Sequence, residues 1–227
     1  MIIETFLLSP FQQNTRVVAC AETRRAICID PGEESAELAR FINDNNFDLQ
    51  AIALTHAHLD HIGGVFALHE SFPQAEIILH KEDEDLYYSL PRQPLFMGVE
   101  PHQLKALGLE YETPPQISRF WQNDEIYMVG NLLFEILHCP GHTRGHVVLV
   151  EEAKRKIFGG DCLFAGSIGR TDLPGGNFDE LINSINDKIL PLGDDFMVYT
   201  GHGEDTTIGR ERTTNPFLTG VYQPAGF

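Results

Sequence analysis

Between Thr55 and Ile62 the chain reads His56-Ala57-His58-Leu59-Asp60-His61, four potential metal ligands within six residues. On an α-helix, residues two apart do not share a face, so His56 and His58 could not converge there. They can converge if the run is a tight loop leaving a strand, and AIAL at 51–54 reads as a short buried strand. Gly63-Gly64 then let the backbone turn closely before the next helix. A chance H-x-H-x-D-H in a chain this rich in histidine is roughly a one-in-a-thousand event. The run therefore demands a sheet behind it and a loop at the strand end in front.

Six residues cannot enclose two metals, so further ligands should sit at other strand ends. Three candidates do: His142 in HCPGHTRGH (138–146) after a strand at 132–137, Asp161 in FGGDCLF (158–164) after 156–159, and His202 in YTGHGE (199–204) after 196–199. Each has glycine beside it, which permits an exposed turn, and sites of this kind collect where loops leave strands.

The rest of the chain supplies the scaffold. Runs at 2–8, 15–20 and 26–30 are rich in β-formers and predict an antiparallel meander, stopped by Pro31-Gly32. Leu38, Phe41 and Ile42 at helical spacing predict an amphipathic helix over 33–45, and a helix follows over 62–71 before a strand at 76–79. Residues 81–124, broken by prolines at 91, 94, 101, 114 and 115, read as a short helix and a long loop. A loop this long is an irregular covering segment or a lid over a site. A hairpin turns at Gly130-Asn131 between 125–129 and 132–137. Strands at 146–150 and 156–159 form another pair, and Leu181, Ile182, Ile185 and Ile189 mark a helix over 178–190. Two groups of strands, each followed by helix, predict an α/β (α+β) protein, a four-layer αββα sandwich in one domain over 1–227.

Taken in order, THAHLDHIGG, CPGHTRGH, GDCLFAGSIGRTD and TGHGE resemble the metallo-β-lactamase superfamily. The resemblance is nearest to its glyoxalase II branch, the hydroxyacylglutathione hydrolases, in the compact single-domain bacterial form that also carries GSIGRTDLPGG (166–176). It implies a metallo-β-lactamase fold with two metal sites: His56, His58 and His142 in the first, Asp60, His61 and His202 in the second, and Asp161 shared between them. Asp30, in the CIDPG turn, matches an aspartate that orients a ligand histidine through its other ring nitrogen; a turn-stabilising role is the alternative. Zn²⁺ suits such nitrogen and oxygen donors, as do iron and manganese. The antibiotic-degrading β-lactamases of the best-known subclass carry cysteine at the bridging position; here Asp161 stands there, and Cys162 beside it reads as a packed residue. The remaining histidines, at 69, 80, 102, 138 and 146, match no ligand role.

The implied activity is thioester hydrolysis, S-D-lactoylglutathione giving D-lactate and glutathione, with a metal-bridging hydroxide as nucleophile and Asp60 as the catalytic group that orients it and takes up its proton. Only 25 residues follow His202, so the C-terminal helical domain that grips glutathione in the long form is not expected. Arg170 is the candidate for a substrate carboxylate, with an internal pair to Asp172 as the alternative. An iron-dependent persulfide dioxygenase shares nearly the same ligands, and a non-catalytic metal-binding protein is a third reading.

Charge limits the partners. With 16 Lys and Arg against 33 Asp and Glu, the net charge of −17 disfavours nucleic acid and anionic membrane surfaces. This leaves a small-molecule thioester, including a glutathione conjugate, as the expected partner; oligomeric state is not legible. The apolar start MIIETFLLSP carries Glu4 and no basic stretch, unlike a secretory signal, and the four cysteines form no C-x-x-C pair. A cytoplasmic location is expected.

Overall fold

The computed structural model describes residues 1–96 and 98–222. Among these the chain gathers into two compact units: Met1–Trp121 with Val129–Asn131, and Gln122–Met128 with the chain from Leu132 onward. The expected domain 1–227 spans both and continues past Tyr222, outside the described residues.

The first unit carries, among the described residues, a six-stranded sheet ordered β1 (Ile2–Leu8), β2 (Gln13–Ala19), β3 (Arg25–Ile29), β4 (Asp48–Ala53), β5 (Glu76–His80) and β6 (Arg119–Trp121). The first three strands form the expected antiparallel meander, and β3 through β6 run parallel. Parallel neighbours need crossovers. They are supplied by α1 (Ala36–Asp44), then by α2 (Leu59–Ile62) with α3 (Val65–Ser71). Helix α1 starts where the Ser35 side chain accepts the Leu38 N–H at 3.2 Å, and it buries Leu38 and Ile42. Each fully buried aliphatic of this kind contributes about 1.5–3 kcal/mol. Ile52 and Ile77 face this helical core, while Val18, Ile27 and Ile78 are buried too. Burial of both alternating sets is why the strands read as continuous apolar runs.

Residues 81–118 differ from the single short helix and long loop that the prolines suggest. They form α4 (Glu84–Tyr88), α5 (Gln93–Phe96) and α6 (Leu104–Leu107), with single 3₁₀ turns at Lys81–Asp83, Leu90–Arg92 and Pro101–Gln103. Pro91 and Pro101 lie in the first turn of helical pieces, where a missing N–H costs nothing, so they start structure instead of breaking it. Strand β6 is only three residues long, too short for any periodicity to show.

The second unit carries a sheet whose order among the described residues is β14-β13-β10-β9-β8-β7. Its strands are β7 (Ile126–Val129), β8 (Leu132–His138), β9 (Val147–Glu151), β10 (Lys156–Gly160), β13 (Met197–Thr200) and β14 (Thr206–Thr207). A small hairpin, β11 (Leu163–Phe164) with β12 (Ser167–Ile168), follows β10. Strands β10 and β13 are parallel, with Gly160 beside Thr200. Helix α7 (Phe178–Ser184) is capped by the Asn177 side chain, which accepts the Glu180 N–H at 3.1 Å. It continues as a π-turn over Ile185–Ile189, burying Leu181, Ile185 and Ile189 against Val148, Ile157 and Val198. Helix α8 (Ile208–Thr214) closes this unit.

Candidate metal centre

In the first unit every donor sits just past the carboxyl end of a parallel strand. Asp30 follows β3 and the His56–His61 run follows β4, the end where open α/β sheets place their ligands. Asp30 has φ +50, a left-handed conformation that aspartate tolerates better than most residues. The turn after it packs backbone to backbone: a Cβ on Gly32 would lie 2.2 Å from the Asp60 carbonyl oxygen, and one on Gly63 2.5 Å from that of Gly32. Pro31-Gly32 and Gly63-Gly64 are thus two halves of one close approach.

Asp30 is buried and organises the histidines. Its Oδ1 accepts the Thr55 N–H at 2.8 Å; its Oδ2 accepts the Thr55 hydroxyl at 2.6 Å and His61 Nδ1 at 2.9 Å. The Thr55 hydroxyl, having given its proton to Asp30, accepts from His56 Nδ1 at 3.0 Å. This network assigns both rings the Nδ1–H tautomer and leaves each Nε2 lone pair for a cation. The rings of His56 and His61 lie 4.0 Å apart between centroids, those of His56 and His58 4.9 Å, and Asp60 Oδ2 stands 4.0 Å from His61 Nε2. Asp30, His56 and His61 have donor atoms within 4.8 Å of one another. Three hydrogens are already directed at the two Asp30 oxygens.

The backbone of the ligand loop is held by side chains that sequence reasoning missed. Trp121 Nε1 donates to the Leu54 carbonyl at 3.0 Å, and Asp83 Oδ2 accepts the Ala57 N–H at 3.1 Å. Gln93 accepts the Leu59 N–H and donates to the Ala57 carbonyl, each at 2.8 Å. Tyr111 lies against Gly63, and burial together with the charges of Glu33 and Asp60 raises its phenol to about 12.

In the second unit Asp161 lies between the two expected histidines. His142 Nε2 is 3.6 Å and His202 Nε2 3.7 Å from the same Asp161 oxygen, Oδ2. His142 is oriented as His56 and His61 are, its Nδ1 bonding the Arg170 carbonyl at 2.7 Å. The backbone N–H of Asp161 donates to His146 Nε2 at 3.1 Å, giving a structural role to a histidine with no ligand match. Gly169 explains part of the GSIGRTD run: a Cβ there would lie 1.9 Å from the Asp161 carbonyl oxygen and 3.1 Å from His142 Nδ1. The ERTTNPF run (211–217) braces the same stretch, because buried Glu211 accepts the Gly166 N–H at 2.7 Å and Asn215 donates to the Ser167 carbonyl at 2.9 Å. Cys162 is buried in the core of this unit beside Cys139, and that contact together with burial pushes its thiol up. Arg170 makes a bidentate pair with Asp172, both bonds 2.8 Å, holding the Asp172 carboxyl at about 2.

Histidine and aspartate donors at strand ends, with far ring nitrogens fixed by carboxylate, hydroxyl or carbonyl, define a candidate metal-binding site. The donor chemistry suits a divalent cation: neutral imidazoles with one nitrogen left for ligation, and carboxylates beside them. The chain belongs to the metallo-β-lactamase superfamily, whose sequence pattern matches residues 8–202. It is 40% identical over 224 residues to the hydroxyacylglutathione hydrolase GloC of Haemophilus influenzae, covering 96% of this chain and 98% of that one. Among solved structures it is similar to the BLEG-1 B3 metallo-β-lactamase (33% identity, TM-score 0.84, 96% of this chain and 100% of that one). It is also similar to TTHA1623 in a di-iron-bound form (35% identity, TM-score 0.81, 95% and 100%). The fold is therefore the metallo-β-lactamase fold. No helix among the described residues is long and apolar enough to cross a membrane.

Proposed function

We propose that this chain is a thioesterase of the hydroxyacylglutathione type that holds two zinc ions. His56, His58 and His142 form one site, Asp60, His61 and His202 the other, and Asp161 is shared. The observation that carries this reading is the fixing of Nδ1 in His56, His61 and His142, each by its own acceptor, which dedicates Nε2 to ligation. The full-length similarity to a hydroxyacylglutathione hydrolase supports the substrate class. Iron satisfies the same donors, and TTHA1623 carries two irons.

Metal ions bound there supply Lewis acidity, making water nucleophilic near neutral pH and polarising the scissile carbonyl. The chain's own groups do the rest. Asp60, partly exposed beside His61, orients the attacking water and takes up its proton at Oδ2. The water oxygen bonds the acyl carbon, the carbon–sulfur bond breaks, and the proton passes to the departing thiolate. Arg170 receives a substrate carboxylate by exchanging it for Asp172; their pair is exposed and worth at most about 1 kcal/mol, so exchange is cheap. The −17 charge supports a small-molecule partner over nucleic acid or membrane, and four free cysteines support a reducing, cytoplasmic setting.

The test is metal analysis of the purified protein paired with release of free thiol from S-D-lactoylglutathione. Two ions per chain and thiol release abolished by a chelator are expected. One iron per chain with oxygen uptake on a persulfide and no thiol release would replace the reading with a dioxygenase. Opening of a β-lactam ring without thioester cleavage would overturn it as well.

A further inference from the structure

The loop that carries His58 has no regular secondary structure between Thr55 and His58, so its peptide groups need partners from elsewhere. They find them in the proline-rich segment expected to be a covering stretch or a lid. The Gln93 carboxamide takes the Leu59 N–H at its oxygen and gives an N–H to the Ala57 carbonyl, both at 2.8 Å. Those two groups are the ones immediately before and after His58, so one planar side chain spans the residue as a neighbouring strand would. Gln93 is buried, and its nitrogen is also tied to the Leu86 carbonyl in α4 at 2.9 Å. Asp83, buried as well, holds the next peptide back through the Ala57 N–H.

We infer that Gln93 is a positioning residue for the metal ligand His58: its carboxamide clasp fixes the backbone on both sides of that residue and so aims the imidazole. The inference rests on the reading of His58 as a ligand. The clasp holds His58 at φ −71 and ψ 149, the extended conformation from which α2 begins. Releasing it leaves the Leu59 N–H and Ala57 carbonyl without these partners and lets the Cα–Cβ direction of His58 drift. His56 and His61 are held independently, through Thr55 and Asp30, so the effect should fall on the ion that His58 binds.

Gln93→Met keeps the length of the side chain and removes both bonds. Leu90→Ala, in the same segment, is the control, because Leu90 is buried in the core of this unit. Metal-loaded parent and both variants are titrated with a chromogenic chelator, and their melting temperatures are recorded. In Gln93→Met one of the two ions should leave at a roughly 10–100-fold lower chelator concentration, the usual range for groups that orient ligands. The other ion should leave at the parental concentration, as should both ions of Leu90→Ala even where its melting temperature falls further. Gln93→Met releasing metal as the parent does, or Leu90→Ala weakening the same ion equally, overturns the inference. So does a Gln93→Met chain that fails to fold, which would make the clasp part of the fold. A parent chain that binds no metal refutes instead the ligand assignment beneath it.

Discussion

Replacing Asp30 with asparagine tests the orienting network most directly. The carboxylate is buried and accepts three hydrogens, one at Oδ1 and two at Oδ2. Asparagine offers one oxygen. If that oxygen sits at the Oδ2 position, the new NH₂ opposes the Thr55 N–H, and a buried donor left unmet costs about 1–3 kcal/mol. If the amide flips, its NH₂ faces His61 Nδ1, and the ring must move its proton to Nε2, losing the lone pair meant for the cation. The Thr55 hydroxyl carries the disturbance to His56 as well. In either arrangement a neutral amide no longer raises the basicity of His61 as a carboxylate does, so metal binding should weaken about 10–100-fold, equivalent to about 1.4–2.8 kcal/mol. Metal affinity is to be read by chelator competition, and folding stability by urea unfolding of the same metal-loaded samples. Unchanged affinity for both ions, or a stability loss of the predicted size with unchanged affinity, would refute the tautomer argument.

Two further outcomes follow from local geometry. Gly169→Ala should lower the urea midpoint by an amount equivalent to about 1–3 kcal/mol, the usual cost of overpacking, because its Cβ would overlap the Asp161 carbonyl oxygen; a parental midpoint would show that the turn yields freely. Cys20 should titrate near neutrality: a hydrogen bond from Thr23, with backbone N–H groups of Asn131, Thr23 and Glu22, lowers its thiol to about 7. The folded value lies below the ordinary one of 9.0, so its stabilising contribution is complete above about pH 9 and fades as pH falls through about 7. Ultraviolet titration of thiolate should show a component centred near pH 7 that Cys20→Ser removes; its persistence in Cys20→Ser would assign it elsewhere.

The sequence discloses those parts of the fold and site that repeat a local pattern or crowd their donors together. His56, His58, Asp60 and His61 announce themselves by proximity, and the strands and helices with clear periodicity fall within a few residues of their expected places. Asp161 and His202 are legible because a strand and a glycine adjoin each. Asp83, Gln93 and Trp121 are not legible, since their role is to bond backbone groups 26, 36 and 67 residues away. A side chain that satisfies a distant peptide looks, in sequence, like any polar residue on a surface. Gly169 and Glu211 were visible only as members of longer runs, and what they touch explains why those residue types stand there. Beyond the one short helix expected there, the helical pieces of this segment escaped notice because each is a single turn or little more, below the length at which a hydrophobic period can be counted.

The parallel pairing of β10 and β13 has a consequence for how such a molecule could change. Asp161 follows one of these strands directly and His202 follows the other after Gly201, just past the point where Gly160 stands beside Thr200. Their starting points are therefore set by the inter-strand spacing of about 4.8 Å, a dimension of the peptide lattice itself. Whatever is inserted, deleted or reshaped beyond those two positions, that ruler stays the same length. The connecting stretches can be rewritten while the spacing between the origins of these two side chains keeps its calibration.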